Sequence, residues 1–400
     1  MKTVGIIAEY NPFHSGHAFQ ISEARRFLNA DRIVVIISGS FVQRGEPACA
    51  DKFTRARWAV ENGADMVIEL PDVYSLSCAE RFASGAVRIL KGIGMIDALC
   101  FGSESGDIEY LRSAANTDAS KAEFDIGMDN GLSYPKALSN ATGKTLSPND
   151  ILGVEYIRAV ERYSCGFEVG AVKRDTGYND CSLGGEYSSA LAIRNALSRC
   201  SLDGRISPAV FENLSSALPR GILEEIASMI KRGVFPSTCE VLSDAVLYRI
   251  RCMTPCEISK LPEVSEGLEN LILKCALNSS GFFELMGGVK SKRYTMARLK
   301  RTAMCALLGI TKELQDKAFS SDAGLYVRVL AVRESSAQML SDMSAKASIP
   351  IIIKASDRKT LSEPACEIER ISSLAHSVRA LGQPYEKGAI PDGSNRLVIV

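Results

Sequence analysis

Within the first 200 residues, short apolar β-branched runs alternate with segments of helical periodicity, and that alternation leaves few folds open. Five runs read as strands: Thr3–Ala8, Arg32–Ile37, Asp65–Leu70, Asp97–Phe101 and Phe167–Val172. They are apolar almost throughout, so neither face of the sheet they form is expected to meet water. Between them His17–Asn29, Asp51–Asn62, Cys78–Lys91 and Ile151–Tyr163 read as helices, and Ser188–Ser198 follows the last strand. Asp51 is a natural N-cap, Gly63 a helix stop, and Pro71 closes the third strand. Strands that return through helices run parallel, with helices on both faces. The expected class is therefore α/β, a Rossmann-like parallel sheet, whose ligands gather at the carboxyl ends of the strands.

Past about residue 200 the pattern turns helical: Leu218–Arg232, Ser243–Arg251, Val264–Asn278 and Tyr294–Leu308. Pro350–Lys354 stands out as an isolated strand-like run. A chain of 400 residues exceeds what one core usually serves. The expectation is an α/β domain over 1–200 and a mostly α-helical domain over 201–400. Residues 130–150, rich in Gly, Ser, Asn and Pro, read as a loop within the first.

The chain carries 47 basic and 47 acidic residues, so no whole-molecule field draws it to nucleic acid. Any RNA contact must come from a local basic face. Twelve cysteines are scattered without a CxxC repeat, and only three histidines occur. That excludes a recognisable structural zinc site and suits reduced thiols, so no metal ligand is assigned. The opening apolar run is too short for a signal peptide, and no stretch is apolar enough for a membrane span. A cytoplasmic protein is expected.

The strongest motif is Glu9-Tyr10-Asn11-Pro12-Phe13-His14-Ser15-Gly16-His17, between the first strand and first helix. Two imidazoles three residues apart share one side of a helical turn. The helix N-terminus should add free N–H donors and positive partial charge, and Gly16 should let a phosphate approach the backbone. This suits a triphosphate with charge developing on its α- and β-phosphates, with His14 and His17 as catalytic residues. Further candidates follow other strands: Ser38-Gly39-Ser40-Phe41-Val42-Gln43-Arg44-Gly45-Glu46-Pro47, Phe101-Gly102-Ser103-Glu104 and Lys173-Arg174-Asp175, then Tyr178 and Asp180. Arg174 is suited to clamping a phosphate, although a solvated surface pair would look the same. Ser147-Pro148-Asn149-Asp150 is explained by helix capping alone, yet Asn149 is also placed to bind a nucleotide. In the second half, Lys290 to Arg301 holds six basic residues and no acid. A solvated helix face is the plain explanation; an RNA site using Lys290, Lys292, Arg293, Tyr294, Arg298 and Arg301 is the functional one.

These stretches resemble the bacterial tRNA(Met) cytidine acetate ligases, a family on a HIGH-type (HUP-type) nucleotidyltransferase domain. The resemblance rests on Val4 to His17, Ser38-Gly39-Ser40-Phe41, Gln43 to Pro47, Val67-Ile68-Glu69-Leu70-Pro71 and Phe101 to Glu104, with Pro148-Asn149, Leu152-Gly153 and Lys292-Arg293-Tyr294-Thr295. It spans roughly residues 1–310 and departs at Tyr178-Asn179-Asp180, where a His is expected in the middle. It implies that ATP and acetate form acetyl-adenylate, whose acetyl group passes to N4 of the wobble cytidine of elongator tRNA(Met). By the same resemblance, ATP lies on Ile7, Ala8, Glu9, Tyr10, Asn11, Pro12, Phe13, His14, Ser15, Gly16, His17, Ala18, Phe19 and Gln20, with Gly102, Asn149 and Arg174. Lys173 is added on physical grounds. So is Arg194, below the serines of Ser188-Ser189-Ala190-Leu191-Ala192-Ile193-Arg194, a helix opening like one the superfamily uses on the β- and γ-phosphates. Mg2+ is expected to accompany ATP on its phosphate oxygens.

The HxGH signature alone does not name the acceptor. A small-molecule adenylyltransferase or a pantothenate-synthetase-like ligase would share the first domain without needing a basic helical second one. A non-catalytic RNA-binding factor would tolerate loss of His14 and His17.

Overall fold

A computed structural model describes residues 1–116, 137, 139, 140, 143–174, 188–203 and 206–400. Asp175, Tyr178, Asn179, Asp180 and about half of the expected 130–150 loop lie outside them.

Seven strands form the main path of one sheet. They are β1 (Thr3–Ala8), β2 (Arg32–Ser38), β5 (Met66–Leu70), β6 (Ala98–Ser103), β7 (Glu168–Lys173), β8 (Val327–Val332) and β10 (Val398–Ile399), in the order β10-β8-β5-β2-β1-β6-β7. The remaining strands are the small antiparallel pair β3 (Phe41–Val42) and β4 (Glu46–Pro47), and β9 (Ile351–Ile352), which pairs with β8. From β5 to β7 every neighbour is parallel. The apolar runs are explained by burial on both faces. In β2, Val34 and Ile36 enter one core, while Ile33, Val35 and Ile37 enter the other.

The order of addition locates the ligand crevice. The chain lays down β1, β2 and β5 outward in one direction, then crosses back to place β6 and β7 on the other side of β1. The reversal falls between β1 and β6, and such a switch point leaves a cleft at the strands' carboxyl ends.

The helical half follows the expected periodicity, with helices at Arg220–Lys231, Ser243–Arg251, Leu268–Asn278 and Met296–Leu308. The last third does not stay helical. The β8 strand is buried throughout and pairs antiparallel with β5, so the sheet is not confined to residues 1–200. The Pro350–Lys354 run is not isolated either: Ile351 and Ile352 pair with Val327 and Arg328. Both facts hang on long-range pairing, which local periodicity does not register.

A buried ionic cluster fastens this tail to the sheet. The Lys52 Nζ lies 2.7 Å from Glu69 and 2.9 Å from Asp392, and all three side chains are wholly buried. Arg328 pairs with Asp392, and Arg358 with Glu369 at 2.5 Å. Buried charges are tolerated when fully paired, and removal of one partner strands the others. The Lys52→Met variant should therefore lose about 3 kcal/mol or more of unfolding free energy in urea. A loss below about 1 kcal/mol would mean the cluster is no stronger than a surface pair.

Candidate active site

The chain leaves β1 through Glu9 and Tyr10, whose φ of 49° is a left-handed conformation uncommon for a residue with a side chain. That turn delivers His14 to the N-cap of the Ser15–Phe27 helix, so the helix opens two residues earlier than periodicity suggests. The His14 Nδ1 accepts from the Gly16 N–H at 3.1 Å, and the His17 Nδ1 accepts from the His14 N–H at 3.2 Å. This is a capping box built from two imidazoles instead of Ser and Glu. The rings stack with centroids 3.6 Å apart, and buried Tyr10 and Phe13 brace His17 at 4.6 and 5.6 Å.

The cap fixes the protons. With both Nδ1 atoms accepting, each neutral ring carries its hydrogen on Nε2. Burial, with Arg174 and Arg194 behind it, holds the His14 imidazole down at about 3. Burial, His14 and Arg174 hold His17 well below its ordinary 6.5. Both are neutral donors, and the buried His14 Nε2 has no hydrogen-bond partner among the described residues.

One expectation is corrected here. The first amides of the helix are not free: Ser15 N–H donates to Ala217 O at 2.8 Å, and Gly16 N–H is held by His14. The donors facing the cleft are imidazole nitrogens, not the helix backbone.

The cleft encloses about 960 Å³, counting the open space in its mouth. It is lined by Ile7, Ala8, Glu9, Tyr10, Asn11, His14, His17 and Gln20, with Gly102, Asn149, Arg174 and Arg194. The structure thus brings most of the sequence candidates together at the carboxyl ends of β1 and β6. Pro12, Phe13, Ser15, Gly16, Ala18, Phe19 and Lys173 do not line it, Lys173 being exposed at the end of β7.

Each wall has a cause. A Cβ on Gly102 would sit 3.3 Å from Arg174 Cδ, so the missing side chain leaves room for the arginine to cross the end of β6. Burial lowers the Arg174 guanidinium and nearby Glu104 partly offsets it, while its buried Nε has no partner among the described residues. Asn149 donates to Glu104 at 2.6 Å. Arg194 donates to Asn11 O at 2.7 Å and lies 3.6 Å from Glu46. Ser189 caps its own helix through the Ala192 N–H at 3.0 Å, whereas the buried Ser188 Oγ has no partner among the described residues.

Several further residues line the cleft, and of these Gln43 and Arg44 belong to the loop that the sequence already marked as a candidate. Gln43 and Arg44 arrive on the turn between β3 and β4, and the Gln43 N–H donates to Glu9 at 2.9 Å. Burial raises the Glu9 carboxyl, with Arg44 and Arg194 opposing. Leu152 and Tyr156 also line the cleft, three and seven residues after Asn149 on the Pro148–Arg162 helix. That spacing was legible as one helix face. The wholly buried Arg55 was not legible: it donates to the carbonyls of Glu9 at 2.7 Å, Ser38 at 3.0 Å and Gly39, tying the ends of β1 and β2 together.

The basic run divides. Lys290, Lys292 and Arg293 are exposed. Arg301 is 6% exposed, grips Glu263 at 2.7 Å through two nitrogens and donates to Gln43 O at 3.3 Å. Arg298 is tied to Glu263 O at 2.9 and 2.5 Å. Tyr294 is buried, its hydroxyl 2.7 Å from Ser265. Arg301 and Tyr294 are thus packed into the structure and not presented on the basic face that the sequence suggested.

The profile of the HIGH Nucleotidyl Transferase family matches residues 1–387. A protein of Acetivibrio thermocellus named tRNA(Met) cytidine acetate ligase is 37% identical over 374 residues, covering 89% of each chain. Its namesake in Alkaliphilus metalliredigens is 36% identical over 380 residues, covering 88% of each. The chain belongs to the tRNA(Met) cytidine acetate ligase family of HIGH nucleotidyltransferases. It is therefore an enzyme of the ligase class on a nucleotide-binding fold. Within the family, the crystal structure of Thermotoga maritima TmcAL bound with alpha-thio ATP superposes with a TM-score of 0.90 at 30% identity, each chain wholly covered. The apo form of that protein gives 0.91 at 31% identity, again over the whole of both chains.

The neutral state of His14 has a measurable consequence. The unfolded imidazole takes a proton as the pH falls past about 6.5, but the folded one resists until about 3. Stability that is complete above about 6.5 is therefore lost as the pH drops through that window, at roughly 1.4 kcal/mol per unit. His14→Asn keeps a cap acceptor and cannot titrate. Its urea stability should fall less between pH 7 and pH 5 than that of the parent, by roughly 2 kcal/mol. Equal acid sensitivity in both proteins would show that folding leaves the His14 pKa unshifted.

Proposed function

We propose that this enzyme joins acetate to AMP and passes the acetyl group to N4 of the wobble cytidine of elongator tRNA(Met). In the first step an acetate oxygen attacks the α-phosphorus of ATP and the bond to pyrophosphate breaks. In the second, N4 attacks the acetyl carbonyl carbon, the bond to AMP breaks, and the nitrogen gives up one proton. The products are N4-acetylcytidine, AMP and pyrophosphate.

The observation that carries the reading is the pair of neutral, capped imidazoles beside Arg174. Their Nε2–H groups are donors fixed before substrate arrives, which is how charge appearing on phosphate oxygens is stabilised without reorganisation. Unpartnered buried donors on lining residues, among them His14 Nε2, Arg174 Nε and Asn11 Nδ2, suit a polyanion with many acceptor oxygens. Arg174 supplies the planar fork suited to phosphate. Among the described residues no group of three or more His, Cys, Asp or Glu side chains could hold a metal ion. Mg2+ would arrive on the nucleotide's own phosphates.

Exposed Lys290, Lys292 and Arg293 form the local cationic face that a neutral chain needs to hold RNA. The names of the relatives point to the same acceptor. Among the described residues no helix is long and apolar enough to cross a membrane.

The test is to incubate protein, ATP, labelled acetate and bulk tRNA and to look for N4-acetylcytidine by mass analysis. His14→Ala and His17→Ala should each lower acetate-dependent ATP–pyrophosphate exchange about 100-fold or more. Replacing Lys290, Lys292 and Arg293 with Ala should abolish acetyl transfer and spare exchange. Exchange supported by another carboxylic acid but not by acetate would instead favour a small-molecule ligase, and full activity in both histidine variants would sink the imidazole mechanism.

A further inference from the structure

A second, larger cavity adjoins the ATP cleft. It encloses about 1620 Å³ including its open mouth, and it shares Leu191 and Arg194 with the cleft as a common wall. Its carboxylate next to that wall is Glu46, with Oε2 3.6 Å from Arg194 and Oε1 2.5 Å from Lys300. Two aromatic side chains stand at its lining yet remain largely in solvent, Phe283 at 56% exposure and Tyr385 at 65%. Phe283 belongs to the Phe282–Val289 helix and Lys300 to the Met296–Leu308 helix, and Lys300 Nζ lies 6.0 Å from the Phe283 ring centre. The exposed Lys290, Lys292 and Arg293 are the connection between these two helices.

We infer that this cavity is the acceptor site, taking one unstacked pyrimidine nucleotide from an RNA loop, and that Glu46 selects the base by accepting a hydrogen bond from its exocyclic amine. The inference rests on the reaction proposed above and names where its second substrate lies. A carboxylate accepts and never donates, so it favours the amine of cytosine over the carbonyl that uracil presents at the same place. It has lone pairs beyond those facing Arg194 and Lys300. Phe283 and Tyr385 supply the exposed ring faces on which loop bases stack, and the adjoining basic connection neutralises the flanking phosphates. The shared wall makes the geometry economical: an amine held by Glu46 is one side chain away from the cleft in which the acyl phosphate would form.

The experiment uses the full chain and two transcripts of elongator tRNA(Met), with cytidine or uridine at the wobble position. Binding is read by filter retention. Acetate-dependent ATP–pyrophosphate exchange, measured without RNA, reports whether each variant keeps an intact ATP cleft. The double variant Phe283→Ala, Tyr385→Ala changes only surface side chains and should weaken binding of the cytidine transcript about tenfold or more. Glu46→Gln should narrow the preference for cytidine over uridine to about twofold or less. Unchanged affinity in the double variant, or an undiminished cytidine preference in Glu46→Gln, overturns the assignment. Failure of the unaltered chain to exchange with acetate would overturn the adenylation chemistry instead, and the binding arms would still decide the acceptor site.

Discussion

The chemistry of the cleft follows from how two backbone amides use two imidazoles. The Gly16 and His14 N–H groups each take an Nδ1, at 3.1 and 3.2 Å, and that choice leaves the hydrogen of each ring on Nε2. Capping and the placing of the ring N–H donors are therefore one arrangement, since the bonds that start the helix also choose the tautomer. A Ser and Glu pair would cap as well but would present a carboxylate where phosphates must approach. Burial completes the effect by keeping both rings uncharged, so they act as oriented donors while Arg174 and Arg44 carry the positive charge.

The turn between β3 and β4 extends this order to the second cavity. Gln43 donates to Glu9 inside the cleft and its carbonyl accepts from Arg301. Three residues on, Glu46 holds Arg194 and Lys300. Gly45 has a φ of 74°, and a Cβ there would strike the backbone of Lys300 and Arg301. The Met296–Leu308 helix is thus seated directly on a loop that also contacts the ATP cleft. Movement of one element is constrained by the other through packed backbone and paired charge.

How much of this was legible depended on range. Residue alternation and β-branched runs located β1, β2, β5, β6 and β7, because burial on both faces leaves a continuous apolar signal. The HxGH turn was legible because its chemistry is local to four residues. Arg55 was not: nothing in Lys52–Glu61 marks one arginine as the tie between two strand ends, and only the fold brings Glu9, Ser38 and Gly39 around it. The β8 strand was missed for the same reason, since its partner β5 lies some 260 residues earlier in the chain. Gly102 was read as a nucleotide contact and Gly16 as room for a phosphate. At Gly102 the room goes first to the stem of Arg174, and at Gly16 the amide is already held by His14.

The basic run shows why counting charges along a helix misassigns them. Lys290 to Arg301 is uniformly basic in sequence, yet position in space divides it. Arg301 meets Glu263 in a buried two-pronged pair, which satisfies a charge that would otherwise be costly to desolvate. Arg298 donates to the Glu263 carbonyl and lies 4.8 Å from the Tyr294 ring centre. Lys300 answers Glu46. Only the residues before the helix, Lys290, Lys292 and Arg293, stand exposed in solvent. Of the inner cations Lys300 lines the second cavity, and the outer ones lie on the connection between the helices that carry Phe283 and Lys300. A neutral chain can in this way present a positive surface at one place without the general attraction for polyanions that a basic protein would carry.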